Sequence, residues 1–288
     1  MRSFTAVVNP TAGGGSSAQA LFGLARLLRD AGASLQVDYS RDLRHAADLA
    51  RQAAARGDTV LGVGGDGIAG TVGGALVGTG AEYAIVPAGR GNDFARQLGL
   101  PTEPSKLAEL LLHGEARPTD AIEAGGEAAL GSVYAGVDAL ANAHANRTWL
   151  KGKASYTWGA VRAFASWKPV TYTVTVDGER LERGAYTVVA ANSGYYGYGR
   201  KIAPMASVDD GLLDIVIIKH ASRRMFLTVM QELESGAHIR RPEVETLRCA
   251  EIHIASSRPL PYGCDGELPG WLPVTVRALP SALNIIRP

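Results

Sequence analysis

The N-terminal two-fifths of the chain alternate short apolar runs with Ala-, Leu- and Arg-rich segments of helical period, and that alternation restricts the fold more than any single motif. Strands are expected over Phe4–Val8, Leu35–Tyr39, Thr59–Val63 and Tyr83–Val86, and helices over Ala18–Ala31, Asp42–Arg56, Ile68–Val77 and Pro104–Leu112. A β/α alternation of this kind makes a parallel sheet covered on both faces, and its ligands gather at the carboxyl ends of the strands. Three loops at that edge are unusual: Asn9 to Gly15, Gly64-Gly65-Asp66-Gly67, and Pro87 to Asp93. A tight turn with a capping Asp would account for one such loop. Three together point to a surface shaped around a polyphosphate, because glycines let phosphate approach backbone amides. Asp66 among them would repel phosphate without a divalent cation between, so the pattern reads as metal-nucleotide.

Beyond that region the character changes to β-branched and aromatic runs over Val170–Asp177, Ala185–Asn192, Leu212–Lys219 and Glu245–Ala255, with Asp177-Gly178 placed as a hairpin turn. The expected fold is therefore α/β: an N-terminal parallel-sheet, Rossmann-like lobe followed by an antiparallel β-sandwich lobe. The division expected is residues 1–123 for nucleotide binding and 124–279 for a β-rich substrate domain, with 280–288 an option for completing the first. Thr119 to Gly126 reads as the least structured junction, and the terminal Leu283–Ile286 run fits either lobe.

A formal charge of +1 and the absence of any long Lys/Arg block argue against nucleic acid as a partner. Cys249 and Cys264 are too few for a disulfide scaffold or a zinc site and are expected to be reduced. Strand-like residues at the N-terminus and the lack of a long apolar run lead to the expectation of a cytoplasmic, non-spanning protein. Walker-type and nucleophile-elbow motifs are absent, the dinucleotide fingerprint is absent after the first strand, and the six histidines have no metal-ligand spacing.

Asp66, Asp93, Asp265 and Glu267 are acids flanked by Gly or Asn at expected loops. Phosphoryl transfer divides its work between a carboxylate that holds Mg²⁺ and one that orients or deprotonates the attacking hydroxyl. Asp93 also suits helix capping. Ser207 to Asp214 is an oxygen-rich stretch that reads either as a cation loop or as a polar turn. No acid lies between Asp138 and Asp177, whereas Arg147, Lys151, Lys153, Arg162 and Lys168 occur there with Trp149, Trp158 and Trp167. That composition suits an anionic bilayer surface, or a helix pair whose indoles pack inward, and Arg223 to Leu227 invites the same two readings.

Taken together, Asn9-Pro10 with its glycines, Gly64 to Gly67, Pro87 to Arg96, Gly136-Val137-Asp138-Ala139, Pro204 to Leu213 and Asp265-Gly266-Glu267 resemble the diacylglycerol kinase and sphingoid-base kinase superfamily, in its bacterial diacylglycerol kinase branch. The resemblance implies an ATP- and Mg²⁺-dependent lipid kinase that carries the γ-phosphate to a lipid hydroxyl, with diacylglycerol the first candidate acceptor and phosphatidic acid the product. It implies ATP contacts from Asn9, Pro10, Thr11, Ala12 and Gly13, from Ser40, from Gly64, Gly65, Asp66, Gly67, Ile68, Ala69, Gly70 and Thr71, and from Arg90 and Asn92. Asp265 or Glu267 would be the base, with Asp66 and Asp93 completing the catalytic set. A structural Mg²⁺ would sit on Asp210, with Ser207, Leu212 and Asp214. The chain departs from the family pattern at Ile68 and Arg90, where Thr is usual, which bears on nucleotide use.

Expected partners are a lipid substrate and a peripheral contact at the inner membrane surface, with a homodimer left open. An NAD kinase is the competing enzyme, since that group shares Gly-Gly-Asp-Gly. A catalytically impaired nucleotide-binding regulator is the non-enzymatic alternative.

Overall fold

The computed structural model describes residues 2–10, 16–149 and 153–288. Its elements in chain order begin with β1 (Ser3–Val8), α1 (Ser16–Asp30), β2 (Ser34–Tyr39), α2 (Leu43–Ala55), β3 (Thr59–Gly64), α3 (Asp66–Leu76), β4 (Glu82–Pro87), α4 (Asp93–Gln97) and α5 (Pro104–His113). There follow β5 (Ala116–Ala124), β6 (Glu127–Ala129), β7 (Ser132–Gly136), α6 (Val137–Asn146), α7 (Lys153–Ser166), β8 (Val170–Val176), β9 (Glu179–Ala191), β10 (Tyr195–Tyr196) and β11 (Arg200–Lys201). The chain closes with β12 (Leu213–Lys219), α8 (Arg223–Glu232), β13 (Val244–Cys249), β14 (Glu251–Ser256), β15 (Pro261–Cys264), β16 (Glu267–Trp271) and β17 (Val274–Ile286).

Alternation along β1 explains the first lobe. Phe4, Ala6 and Val8 face one side and pack with Leu21, Leu24 and Leu28 of α1, spaced three and four apart. Val7 faces the other side, under Ala46, Ala50 and Ala53 of α2 and Val72 and Leu76 of α3. With both faces covered, β3 is buried along its whole length, as a parallel strand should be. The parallel order is β2, β1, β3, β4, and then β17, whose Asn284 and Ile285 pair with Glu82 and Tyr83.

The remaining strands of β17 and beyond are antiparallel, running through β14, β8, β9, β7, β15 and β16, with β12 and β13 branching from β9. Asp177 and Gly178, with φ of 51° and 83°, make the two-residue turn between β8 and β9. The Glu245–Ala255 run divides into β13 and β14, separated at Ala250.

One expectation is corrected. The segment from Thr119 to Gly126 is mostly regular structure: β5 runs nine residues and pairs along β17 from Ala124–Val276 to Ala116–Ile286. Its Pro, Asp and Glu read as loop chemistry, but Asp120 is buried and its carboxylate accepts Gly211 N–H and Ser281 N–H, both at 2.7 Å. β5 and β17 thus carry hydrogen bonding from one lobe to the other across a register shift between Leu279 and Leu283. Among the described residues, no helix is long and apolar enough to cross a membrane.

Candidate active site

The loops after β3 and β4 are built against each other. A Cβ on Gly89 would come within 2.2 Å of the Gly65 Cα, so only glycine allows the two backbones to approach this closely. Asn92, at φ 51°, clamps the second loop: its Oδ1 accepts Gly89 N–H at 2.9 Å and its Nδ2 donates to Gly89 O at 3.0 Å. Gly65 caps α3 without a side-chain hydrogen bond, which leaves the amides of its first turn directed outward, and Gly67 there is exposed. Asp66 lies in that first turn and accepts the Asp93 N–H at 2.5 Å, which joins the loops end to end.

Asp93 bridges the lobes. Its carboxylate accepts Tyr198 N–H at 3.0 Å and Gly199 N–H at 2.5 Å, from the turn between β10 and β11. Burial, and then the charge of Asp66, push its pKa up to about 6, against the two N–H donors and the weaker pull of Arg96.

Asp265 approaches from the other lobe. Asp265 and Gly266, with φ of 46° and 95°, form the two-residue turn between β15 and β16. A Cβ on Gly70 of α3 would lie 3.3 Å from Asp265 Oδ2, so the turn sits against the helix that begins with Asp66. Both carboxylate oxygens are engaged by backbone: Oδ2 accepts Leu130 N–H at 2.7 Å, Oδ1 accepts Ser132 N–H at 2.9 Å, and Gly131 N–H reaches both at 3.0 and 3.1 Å. Burial raises the Asp265 pKa, the three amides oppose it, and Asp66 adds a further upward push. Glu267, the next residue but one, is exposed.

Sequence reasoning missed what holds this turn. Asn142 of α6 donates to Gly266 O at 2.5 Å, and Asn192 donates to Leu130 O at 2.8 Å and to Asp120 O at 3.1 Å. Asn192 and Ser193 also give their N–H groups to Gly131 O, which fixes the amides that grip Asp265. The signal available was two Asn residues in otherwise apolar stretches, a helix face and a strand end, where a buried amide must be spent on something.

The other expected residues divide as follows. Thr11, Ala12 and Gly13 lie outside the described residues, while Asn9 and Pro10 stand at the end of β1. Ser40 is buried beside them, and its hydroxyl donates to Val8 O at 3.3 Å. Ile68, Ala69 and Gly70 are buried in α3, Thr71 is half-buried and Arg90 is exposed. The loop carrying Asp210 and Ser207 is a separate place: Ser207 Oγ donates to Asp209, Leu212 N–H to Asp210 at 3.0 Å, and Arg248 pairs with Asp210. Arg248 Nε also lies 3.3 Å from Oδ1 of the buried Asp214, whose pKa is raised by burial with Arg248 pulling the other way.

These surroundings decide which acids suit a cation. In the Asp210 loop one guanidinium faces two carboxylates, which leaves a net negative charge, and both oxygens of Asp214 are buried without a hydrogen-bond partner, so that donor set also suits a cation. Asp66 raises the pKa of both Asp93 and Asp265, the mark of hard oxygen donors whose mutual repulsion a divalent ion would relieve. Among the described residues, no group of three or more His, Cys, Asp or Glu is already arranged as a metal cage. A Mg²⁺ that keeps several waters and shares phosphate oxygens needs no such cage.

Comparison with known proteins places this geometry. Residues 3–124 match the sequence model described as the diacylglycerol kinase catalytic domain, and residues 131–287 match that described as the YegS C-terminal NAD kinase beta sandwich-like domain. The diacylglycerol kinase of Mycobacterium tuberculosis (strain ATCC 25618 / H37Rv) is 33% identical over 99% of this chain and 94% of its own. That of Bacillus subtilis (strain 168) is 25% identical over 98% and 95%. A Chromohalobacter salexigens protein named "Probable lipid kinase YegS-like" is 30% identical over 83% and 79%. The crystal structure of a diacylglycerol kinase from Bacillus anthracis str. Sterne has the same fold, with a TM-score of 0.80 over all of this chain and 97% of that one at 24% identity. The chain belongs to the diacylglycerol kinase family of lipid kinases.

Proposed function

We propose that the protein transfers the γ-phosphate of ATP, with Mg²⁺, to a lipid hydroxyl, and that diacylglycerol is the acceptor. The observation that carries the proposal is the meeting of Asp66 and Asp93 with Asp265 from the opposite lobe, in front of an uncapped helix N-terminus. Exposed first-turn amides of α3 and the Gly65–Gly89 contact supply a cradle for phosphates. Asp66 and Asp93 are the carboxylates suited to hold Mg²⁺, which would supply neutralisation of charge on the transferring group.

Glu267 is assigned the role of base. Asp265 has four hydrogen-bond contacts on two oxygens, which leaves it little room to take another proton, and so it fixes the turn. In the step, the lipid oxygen forms a bond to the γ-phosphorus, the bond from that phosphorus to the β-bridging oxygen breaks, the hydroxyl proton passes to Glu267, and ADP leaves. The test is transfer of labelled γ-phosphate to diacylglycerol in mixed micelles, with sphingoid base and monoacylglycerol run in parallel. Absence of transfer to every lipid, at saturating ATP and Mg²⁺, refutes the proposal. The description of the C-terminal domain gives NAD kinase a specific claim, so NAD is included as acceptor. Formation of NADP in place of a phospholipid would establish that alternative.

A pH dependence follows from Asp93. Its pKa of about 6 lies above the ordinary carboxylate value, so the group gains a proton as pH falls through 6, and the site then loses one cation ligand. Activity at limiting Mg²⁺ is expected to fall below about pH 6, with the midpoint moving lower as Mg²⁺ is raised, since metal and proton compete for the same oxygens. A midpoint indifferent to Mg²⁺ would remove Asp93 from the metal shell.

A further inference from the structure

A cavity of about 310 Å³ lies at the joint between the lobes, between Arg96 and Gln97 of α4 on one side and Tyr195, Lys201, Pro204 and Ser235 of the second lobe on the other. It shares no residue with the phosphate cradle built by Gly65 and Gly89. Strand β10 divides it from the interior of the second lobe: Tyr196 turns inward, with its ring edge-on to Tyr134 at 6.3 Å, while Tyr195 turns toward α4. The walls are fixed. Gln97 spans the joint, its Oε1 accepting Gly194 N–H at 3.0 Å and its Nε2 donating to Ala206 O at 3.1 Å. The Arg96 guanidinium lies 5.9 Å from the Tyr195 ring centroid, and a Cβ on Gly199 would come within 3.3 Å of its Nε, so a glycine in that turn gives it room.

What the cavity lacks is an acid. Arg96 reaches it from the first lobe and Lys201 from the second, and among the described residues neither makes a salt bridge. Arg240 makes none either, and it lines an adjoining cavity of about 350 Å³ that shares Pro204 and Ser235 with the first. Two acids of the flanking segments are engaged elsewhere: Asp93 with Tyr198 and Gly199, and Glu232 with Arg241 through two contacts of 2.6 Å. Cations that converge from opposite lobes with no carboxylate between them repel, and a bound anion turns that repulsion into a clamp.

We infer that this cavity is a second phosphate site, filled by a small soluble phosphomonoester or by free phosphate, and that its occupant activates the enzyme. A guanidinium fork from one wall and an ammonium from the other suit a tetrahedral dianion, which offers oxygens to both, better than a planar carboxylate of single charge. Ligand pockets run from about 300 to 1,000 Å³, so this one suits a glycerol-sized ester and is small for a nucleotide. The effect follows from position. Tyr195 pairs with Lys201 at the base of the β10–β11 hairpin, and the turn of the same hairpin gives Asp93 the N–H groups of Tyr198 and Gly199. An anion joining Lys201 to Arg96 draws the hairpin onto α4 and steadies Asp93. Activation rests on the kinase reading of the main site; binding does not.

The test is titration calorimetry of the full chain with glycerol 3-phosphate, with inorganic phosphate and with glycerol as control, each with and without a non-hydrolysable ATP analogue and Mg²⁺. Both phosphates should bind whether or not the analogue is present, and should weaken as salt rises. Lys201→Gln and Arg96→Gln should each lower affinity by about tenfold or more, and Lys201→Arg should restore it, at unchanged thermal midpoints. Tighter binding of glycerol 3-phosphate names the ester as occupant, and equal affinities name free phosphate. No binding of either, displacement of both by the analogue, or wild-type affinity in both Gln variants overturns the inference. Labelled transfer is followed in the same samples and should rise with glycerol 3-phosphate in the wild type but not in Lys201→Gln. A rate indifferent to the bound ester overturns the activating role. Binding that depends on Lys201 with no transfer to any acceptor supports the site and refutes the kinase proposal instead.

Discussion

Glu267→Gln is expected to lower kcat on diacylglycerol by about 10²–10⁴-fold, with ATP affinity and thermal midpoint unchanged. The separation should be clean because Glu267 is exposed on β16 and none of the hydrogen bonds that hold the turn depends on its carboxylate. Asp265→Asn should behave differently. The amide has one acceptor oxygen where the carboxylate has two, so its nitrogen would face a backbone N–H of Leu130, Gly131 or Ser132, donor against donor. That variant should lose stability and activity together. Single-turnover kinetics alongside calorimetric melting distinguish the two. If Glu267→Gln stays within tenfold of the parent while Asp265→Asn melts normally and is inactive, the assignments are reversed.

Much of this arrangement was legible before any coordinates. The parallel lobe was readable because Phe4, Ala6 and Val8 alternate with Val7, and because Leu21, Leu24 and Leu28 repeat at helical spacing, so each local pattern has one solution. Asp66 and Asp93 were readable from their glycine and asparagine neighbours. The convergence of Asp265 with them is expected from the resemblance and not from local pattern, since residues so distant in sequence meet through the crossing of β17. Asp120 and Asn192 failed for a related reason. Their partners are backbone groups of Gly211, Ser281 and Leu130, and a backbone amide leaves no trace in residue identity. The acids of the Asp210 loop are legible because they are local, whereas the guanidinium that pairs with them comes from β13, far along the chain.

Asp120→Ala should be the most destabilising of the single substitutions considered. The side chain is 2% exposed and accepts two N–H groups at 2.7 Å, from half-buried Gly211 and from exposed Ser281, and both would lose a charged acceptor. Hydrogen bonds to a charged group are worth about 1.5–3 kcal/mol, and because water reaches Ser281 the expected loss is about 2 kcal/mol, or about 4–8 °C in thermal midpoint. Asp120→Asn keeps one acceptor and should lose about half as much. The consequence should extend to catalysis, because Asp120 joins β5 to Ser281 at the register shift of β17, where that strand passes from pairing in one lobe to pairing in the other. Asp66 belongs to the first lobe and Asp265 to the second, and their approach depends on this crossing being rigid. Activity per folded molecule, measured well below the melting transition, should therefore fall in Asp120→Ala by more than the unfolded fraction explains. Full specific activity in a variant with a depressed midpoint would mean that the acids of the two lobes are held together by other contacts, those of Asp93 with Tyr198 and Gly199 and of Gln97 with Gly194 and Ala206.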